Sequence, residues 1–403
     1  MNILTFTTLW PNAEQPDFGV FVKHRVAAIA RLGDVRAVAP VPWFPQMLTR
    51  SLPLAVLTRI PNHWRRTARV PERELIAGLE TFHPRYLVTP KIGMSFYGAW
   101  MARGAWETVE RLHREQPIDV IDAHYVYPDG YAAALIGRRL NVPVFITARG
   151  TDINLFSRMP LIRPKIVKAL QRATGIIAVS QALKARMIEL GIAAEKIAVI
   201  PNGIDHAVFH PQDRAAARRK LGLNPEDTIL LTVGALVPAK GIDRLIDALA
   251  LLVRKDQERR LKLFVIGEGV ERKKLESQIS NLRLENRVFL LGAKPQTELV
   301  AWYSAADLFC LASQREGCPN VVIEAMACGL PVIATDVGGV RELIGAACGR
   351  VVAESNPETF AAEIGSALAT NWNRLEIAER GGARSWATVA EEVMQFFVAR
   401  HGV

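Results

Sequence analysis

Between Leu308 and Gly339 the chain leaves itself very few local structures. Leu308–Leu311 and Leu330–Thr335 are apolar runs short enough for buried strands. Between them, Pro319 suits the first helical position, where its missing N–H costs nothing. A helix is therefore predicted from about Asn320 to Cys328, with Gly329 ending it just beyond the cap. Asp336–Gly339 closes the unit with a glycine turn. Strand, helix, strand over about thirty residues is the repeating unit of a parallel α/β sheet. The helix start presents unpaired N–H groups and the positive end of a dipole, so it favours an anion, phosphate above all. Gly317 permits close approach of backbone to a ligand. Glu316 stands just before this terminus and Glu324 more than a turn inside it. Both carboxylates can accept hydrogen bonds from sugar hydroxyls.

The same alternation runs through the chain. Asn2–Thr7 reads as a first strand, followed by a polar loop, Gly19 and a helix over Val20–Arg31 with apolar spacing at Val22, Val26, Ile29 and Ala30. Val35–Ala39, Val120–Asp122, Val144–Thr147, Gly175–Ser180 and Ile197–Ile200 continue the strands, with helices at 96–115, 131–139 and 181–190. After the Pro201-Asn202-Gly203-Ile204-Asp205 turn, Ile229–Val233, Leu261–Gly267 and Val288–Leu291 do the same in the second half. Largely helical segments, 354–370 and 376–400, end the chain. A length of 403 residues suits two such domains. Ligands of open α/β sheets bind beyond the carboxyl ends of the strands. Those ends carry His124, Arg149-Gly150-Thr151-Asp152, and a loop from Gly234 to Lys240-Gly241. No Gly-x-Gly-x-x-Gly follows a strand, so a dinucleotide is not indicated.

A phosphate flanked by two polyol-binding carboxylates has the shape of a sugar nucleotide. Glu316-x7-Glu324 followed by Ala325-Met326-Ala327-x-Gly329-x-Pro331-Val332 resembles the signature of retaining glycosyltransferases of the GT-B fold, glycosyltransferase family 4. The resemblance spans nearly the whole chain and is weakest at 43–85. It implies two doubly wound Rossmann-like domains with a cleft between them, the last helix returning to the first domain. The domains expected are 1–205 with 385–403, for the acceptor, and 206–384, for the nucleotide sugar. It implies transfer of a sugar from a nucleoside-diphosphate sugar to a carbohydrate or lipid-linked acceptor, with Glu316 on the donor sugar and Glu324 on the ribose. Gly317, Cys318, Pro319, Asn320 and Val321 would line the donor. The Gly234 loop and Lys240 would hold the diphosphate. His124 stands where the family has a histidine near sugar and acceptor, and is expected to be catalytic with Glu316 and Lys240. Gly19 would approach the donor phosphates, or simply start its helix. Asp152 would bind the donor, or cap a helix.

Two positions depart from the pattern. Arg149 replaces the histidine of a usual His-Gly-x-Asp, and a permanently charged guanidinium cannot relay a proton but can hold a phosphate or carboxylate. Ala235 replaces the arginine that assists Lys240, leaving Arg149, Lys23 or Arg315 to compensate. No Asp-x-Asp cluster stands out, so the expected chemistry is independent of metal and of any cofactor.

The net charge of +10 lies wholly in the first half: Met1–Asp205 holds 26 Lys and Arg against 16 Asp and Glu, and the remainder 24 of each. Such a half suits an anionic partner. Trp43–Val70 carries five arginines and no acid, interleaved with Trp43, Phe44, Met47, Leu48 and Trp64. That mixture fits an anionic membrane surface, or a basic loop packed on the domain. Nucleic acid would account for the charge but not for the second half, and is not expected as a partner. A sugar-nucleotide epimerase or a phosphorylase of the same fold stays as an alternative. No apolar run of about 18 residues predicts a membrane span. Met1–Phe6 reads as a strand and not as a signal peptide, and Cys310, Cys318, Cys328 and Cys348 form no Cys-x-x-Cys pair. The expected place is the cytoplasm, peripheral at the membrane's inner face if 43–70 binds there.

Overall fold

The computed structural model describes residues 1–43, 69–89, 93–258, 260–354 and 356–401. Most of the arginine-rich stretch 43–70 therefore lies outside the described residues. The chain forms two compact units, Met1–Asn202 with Trp386–Val403, and Gly203–Ser385.

The first unit is built on strands β1 (Asn2–Phe6), β2 (Asp34–Val38), β3 (Val41–Trp43), β4 (Arg73–Ile76), β5 (Leu79–Phe82), β6 (Arg85–Leu87), β7 (Val120–His124), β8 (Val144–Ala148), β9 (Gly175–Ala178) and β10 (Ile197–Val199). Eight of them pair in the order β10-β9-β8-β7-β1-β2-β5-β4, all parallel except the β4–β5 hairpin, while β3 and β6 form a separate pair. Strands β7, β8 and β9 are buried along their whole length, as apolar parallel strands covered on both faces must be. The hairpin was not foreseen. Its turn, Ala77-Gly78, has φ of 53° and 78°, the conformation that two-residue hairpins require. The helix Trp386–His401 belongs to this unit and buries Val389, Val393 and Phe397 against Val22, Val26 and Ile29 of the helix Val20–Ile29. Phe397 meets Phe145 with ring centroids 4.5 Å apart. Each such side chain contributes about 1.5–3 kcal/mol by leaving water.

The second unit has β11 (Thr228–Val233), β12 (Leu261–Ile266), β13 (Val288–Leu290), β14 (Leu308–Leu311), β15 (Val332–Thr335) and β16 (Gly349–Val352), in the all-parallel order β13-β12-β11-β14-β15-β16. Its long amphipathic helix Ile242–Lys255 packs on the sheet through Leu245, Ile246 and Leu249. The helix Asn320–Ala327 differs from expectation at one end. Pro319 is its N-cap, not its first residue, with φ −73° and ψ 106°, and no side chain caps it. Its other end is as read: Gly329 adopts φ 75°, and the Gly329 and Leu330 N–H groups close back on Met326 and Ala325 at 2.8 and 2.9 Å. The final predicted helix is two, Arg374–Gly382 and Trp386–His401. Gly381 lies so close to Met326 and Ala327 that any Cβ would overlap their backbone, so the first of the pair buttresses Asn320–Ala327.

Candidate active site

In the second sheet the strand order reverses between β11 and β14, and loops leaving both strands diverge there. The loop after β11 runs from Gly234 to Gly241 and ends in a single 3₁₀ turn, Pro238–Lys240. Gly241 has φ 62°, and a Cβ on it would strike the Ala312 carbonyl, so the loop lies against the end of β14. This closeness brings Lys240 Nζ within 2.6 Å of Glu316 Oε1. Both are partly exposed, Lys240 at 27% and Glu316 at 11%. The pair can therefore open toward a ligand without leaving a charge stranded in a dry interior.

The backbone beneath Glu316 is held by the glycine turn after β15. Gly338 adopts φ 55° and packs directly on the Glu316 carbonyl, where no Cβ fits, and Gly339 N donates to Gly317 O at 2.9 Å. Glu324 is only 6% exposed. Tyr303 Oη donates to its Oε2 at 2.9 Å and Gln296 Nε2 to its Oε1 at 3.3 Å. Burial pushes the Glu324 carboxyl up to about 7, against the pull of those donors. Cys318 and Val321 pack as partly buried apolar groups on the core beneath the helix, and Asn320 is half-buried at its start. Gly317 and Pro319 are buried, Gly234 half-buried, Ala235 and Arg315 exposed. The second unit thus gathers Lys240, Glu316 and the start of Asn320–Ala327 around one strand end, with Glu324 deeper in the same helix.

In the first sheet the order reverses between β1 and β7. At the end of β7, His124 is fully buried. Arg149 Nη2 donates to its Nδ1 at 2.7 Å, so the ring proton sits on Nε2, 3.1 Å from Asp122 Oδ2. Burial lowers the His124 pKa to about 4, and the ring is neutral at neutral pH. Burial opposes ionisation of Asp122, but His124 and Arg25 beside it outweigh that and hold its carboxyl at about 2. Arg25, also fully buried, places Nη2 3.6 Å from Asp122 Oδ1 and donates from Nη1 to Thr147 Oγ1 at 3.0 Å. Arg149 itself is only half-buried, gives Nη1 to Asn202 Oδ1 at 2.9 Å and lies 5.3 Å over the Phe21 ring.

Two expectations change in this light. His124 does not present a ring edge to a substrate, because both nitrogens are engaged inside the unit. Asp152 is neither a ligand group nor a side-chain cap of its helix: it is fully buried, and its oxygens accept from the N–H groups of Val126, Arg149, Gly150 and Ile153 at 2.7–3.2 Å. It shapes the loop that carries Arg149. Gly19 starts its helix, as one of its two readings had it: with φ 66° it is the N-cap of Val20–Ile29, and it abuts the Leu9–Trp10 backbone where a Cβ would clash.

Sequence reasoning passed over Arg25, Asp122, Asp129 and Tyr303. Two signals were available: an arginine between Val22 and Val26 on an apolar helix face, and an acid inside the apolar run Val120-Ile121-Asp122-Ala123. Asp129 is buried, accepts from Thr8 N through Oδ1, and has no hydrogen-bond partner at Oδ2. Burial pushes its carboxyl up to about 7.

Comparison with known proteins matches residues 213–384 to the model for glycosyl transferases group 1 and residues 62–208 to that for glycosyltransferase family 4. The chain is 30% identical over 354 residues to a putative teichuronic acid biosynthesis glycosyltransferase of Bacillus subtilis, covering 86% of this chain and 83% of the relative. It is 33% identical over 301 residues to a D-inositol 3-phosphate glycosyltransferase of Segniliparus rotundus, covering 70% and 66%. Among solved structures it resembles sucrose-phosphate synthase from Thermosynechococcus elongatus, with a TM-score of 0.78 at 20% identity and coverage of 99% and 98%. It also resembles Anabaena HepE in complex with UDP, at 0.70 and 22%, covering 99% and 100%. These likenesses establish a GT-B fold.

Proposed function

The chain belongs to glycosyltransferase family 4, and from that premise we propose that it moves a sugar, with retention of anomeric configuration, from a nucleoside-diphosphate sugar to a carbohydrate or lipid-linked acceptor of a bacterial surface polysaccharide. The observation that carries this reading is the Lys240–Glu316 pair at 2.6 Å, beside the start of the helix Asn320–Ala327. A diphosphate brings an anion that competes with Glu316 for Lys240 and also meets the positive helix terminus. Glu316, released from Lys240, then accepts from hydroxyls of the donor sugar. Glu324 takes the ribose hydroxyls.

As the bond between the anomeric carbon and the phosphate oxygen breaks, negative charge grows on the leaving diphosphate. Lys240 and the helix terminus stabilise it there, without a metal in this reading. Retention follows when the acceptor oxygen attacks from the face the diphosphate leaves, its proton passing to the leaving phosphate oxygen. Glu316, committed to the sugar hydroxyls, is not assigned as a covalent nucleophile. UDP, the ligand of the HepE structure, is the first nucleotide to try.

Replacing Lys240 with Met removes a charge-assisted bond and is expected to weaken UDP binding by about tenfold to a hundredfold, from roughly 1.5–3 kcal/mol. Glu316→Gln removes the internal competitor. It should leave UDP affinity equal or higher while abolishing turnover of the sugar conjugate. Calorimetric titration decides: equal weakening in both variants would contradict the assigned roles, and undiminished turnover in chelator would be needed for the metal-free reading to stand.

A further inference from the structure

From Ile153 to Ile188 the chain carries seven Lys and Arg and no Asp or Glu. At the centre of this run is the helix Arg163–Arg172, entered through a turn at Met159–Ile162. Ile166, Ala169 and Leu170 are buried and fix the helix to the first unit. Its outer side is therefore set: Arg163, Pro164, Val167, Lys168, Gln171 and Arg172 line one shallow, open groove along it. Arg163, Lys168 and Arg172 are exposed, as is Arg158 just before the turn. Among the described residues the ion pairs of this unit join other cations, such as Arg111 with Glu115 and Arg114 with Glu110, and none of these four. The charges also work against their own helix. Arg163 and Lys165 sit in its first turn, at the positive end of the dipole, with no acid and no side-chain cap to offset them. Lys168 and Arg172 are like charges four residues apart. Folding gains nothing from such a pattern, which points to compensating anions outside the chain.

Apolar groups stand beside the cations. Leu161 is 74% exposed, Phe96 54% and Met159 38%. Lys165 ties Phe96 to the helix: its Nζ donates to Ser95 O and lies 5.1 Å from the centre of the Phe96 ring. We infer that the outer side of Arg163–Arg172, with Met159, Leu161 and Phe96 beside it, is a docking surface for an anionic lipid bilayer. Clustered Lys and Arg meet the headgroups, and side chains such as Leu161 enter the boundary between headgroups and acyl chains. A nucleic acid would use the cations and leave the aliphatic side chains of Leu161 and Met159 without a role. This surface is separate from the stretch 43–70 and from the strand-end loops, and the inference does not rest on the transferase reading.

Full-length protein is mixed with vesicles of phosphatidylcholine alone, or of equal parts phosphatidylcholine and phosphatidylglycerol, and the bound fraction is read by flotation over a range of salt. The wild type is expected to float with the anionic vesicles only, and less as salt rises. The triple variant Arg163→Gln, Lys168→Gln, Arg172→Gln should bind at least about thirtyfold more weakly and with a flatter salt dependence, since each cation near such a surface contributes about fivefold. Leu161→Ser should weaken binding about fivefold or more and leave the salt dependence unchanged. That arm stands even if the triple variant fails to fold. A wild type that ignores anionic vesicles, a triple variant that floats like the wild type, or unchanged binding in Leu161→Ser would overturn the inference. Binding lost in Arg65→Gln with Arg66→Gln but intact in the triple variant would assign the membrane to 43–70 and overturn it too. So would a short RNA that displaces the vesicles and whose own binding falls in the triple variant but not in Leu161→Ser. Vesicle binding that behaves as expected while no nucleoside diphosphate raises Tm would sink the transferase reading and leave this one intact.

Discussion

Two buried carboxyls, Glu324 and Asp129, carry opposite implications for ligand binding and for stability. Burial pushes each up to about 7. Between the unfolded value near 4 and 7, the folded protein keeps protons that the unfolded chain has released. Their contribution to stability is therefore complete below about pH 4 and is lost as pH rises through 7. Asp129→Asn retains the acceptor for Thr8 N and removes the charge. It is expected to raise Tm at pH 8 and leave it unchanged at pH 4, with a gain on the order of 1–4 kcal/mol at the higher pH. Thermal melts at the two pH values check this, and a pH-independent effect would mean that Asp129 does not titrate in that window. For Glu324 the same shift works in the ligand's favour. A nucleotide that offers hydroxyl donors draws it toward the carboxylate, so affinity should rise between pH 6 and 8 in the wild type and lie flat in Glu324→Gln.

The strand-end loops are positioned by glycines at particular places. Gly338 has φ 55° and no room for a Cβ against the Glu316 carbonyl. Gly338→Ala is expected to cost about 1–3 kcal/mol and, by displacing Glu316, to lower turnover more than nucleotide affinity. Kinetics beside a denaturation curve test it, and normal turnover would detach the turn from the site. These elements also show what the sequence disclosed. The strand–helix–strand unit, the Gly329 stop and the glycine turn were legible because each rests on local backbone chemistry. The proximity of Lys240 and Glu316, 76 residues apart, was legible only through the family resemblance, since spacing along the chain says nothing of which loops meet. The burial of His124 was not legible at all. It depends on Arg25 and Asp122 converging from a helix and a strand, and a histidine at a strand end reads the same whether its ring faces inward or outward. The β4–β5 hairpin was hidden because its four-residue strands are too short for a period to register.

At the scale of the whole molecule, the charge divides between the units, with the excess in the half that supplies the first. No helix among the described residues is long and apolar enough to cross a membrane. A lipid-linked acceptor would then be met at a surface, and the arginine-rich stretch 43–70, most of it outside the described residues, is our proposed contact. Cosedimentation should occur with anionic and not with neutral vesicles, and weaken with salt. Binding that is absent or indifferent to salt would remove the membrane from the account. The most direct measurement on the central claim is thermal stabilisation by UDP, GDP, ADP and their sugar conjugates, with NAD and a short RNA as controls. A ligand at 100 times its Kd adds roughly 2.7 kcal/mol, about 5–10 °C for units of this size. The account predicts such a shift with one nucleoside diphosphate and its sugar conjugate, lost in Lys240→Met. A shift with NAD or RNA alone, or with no nucleotide at all, would contradict it.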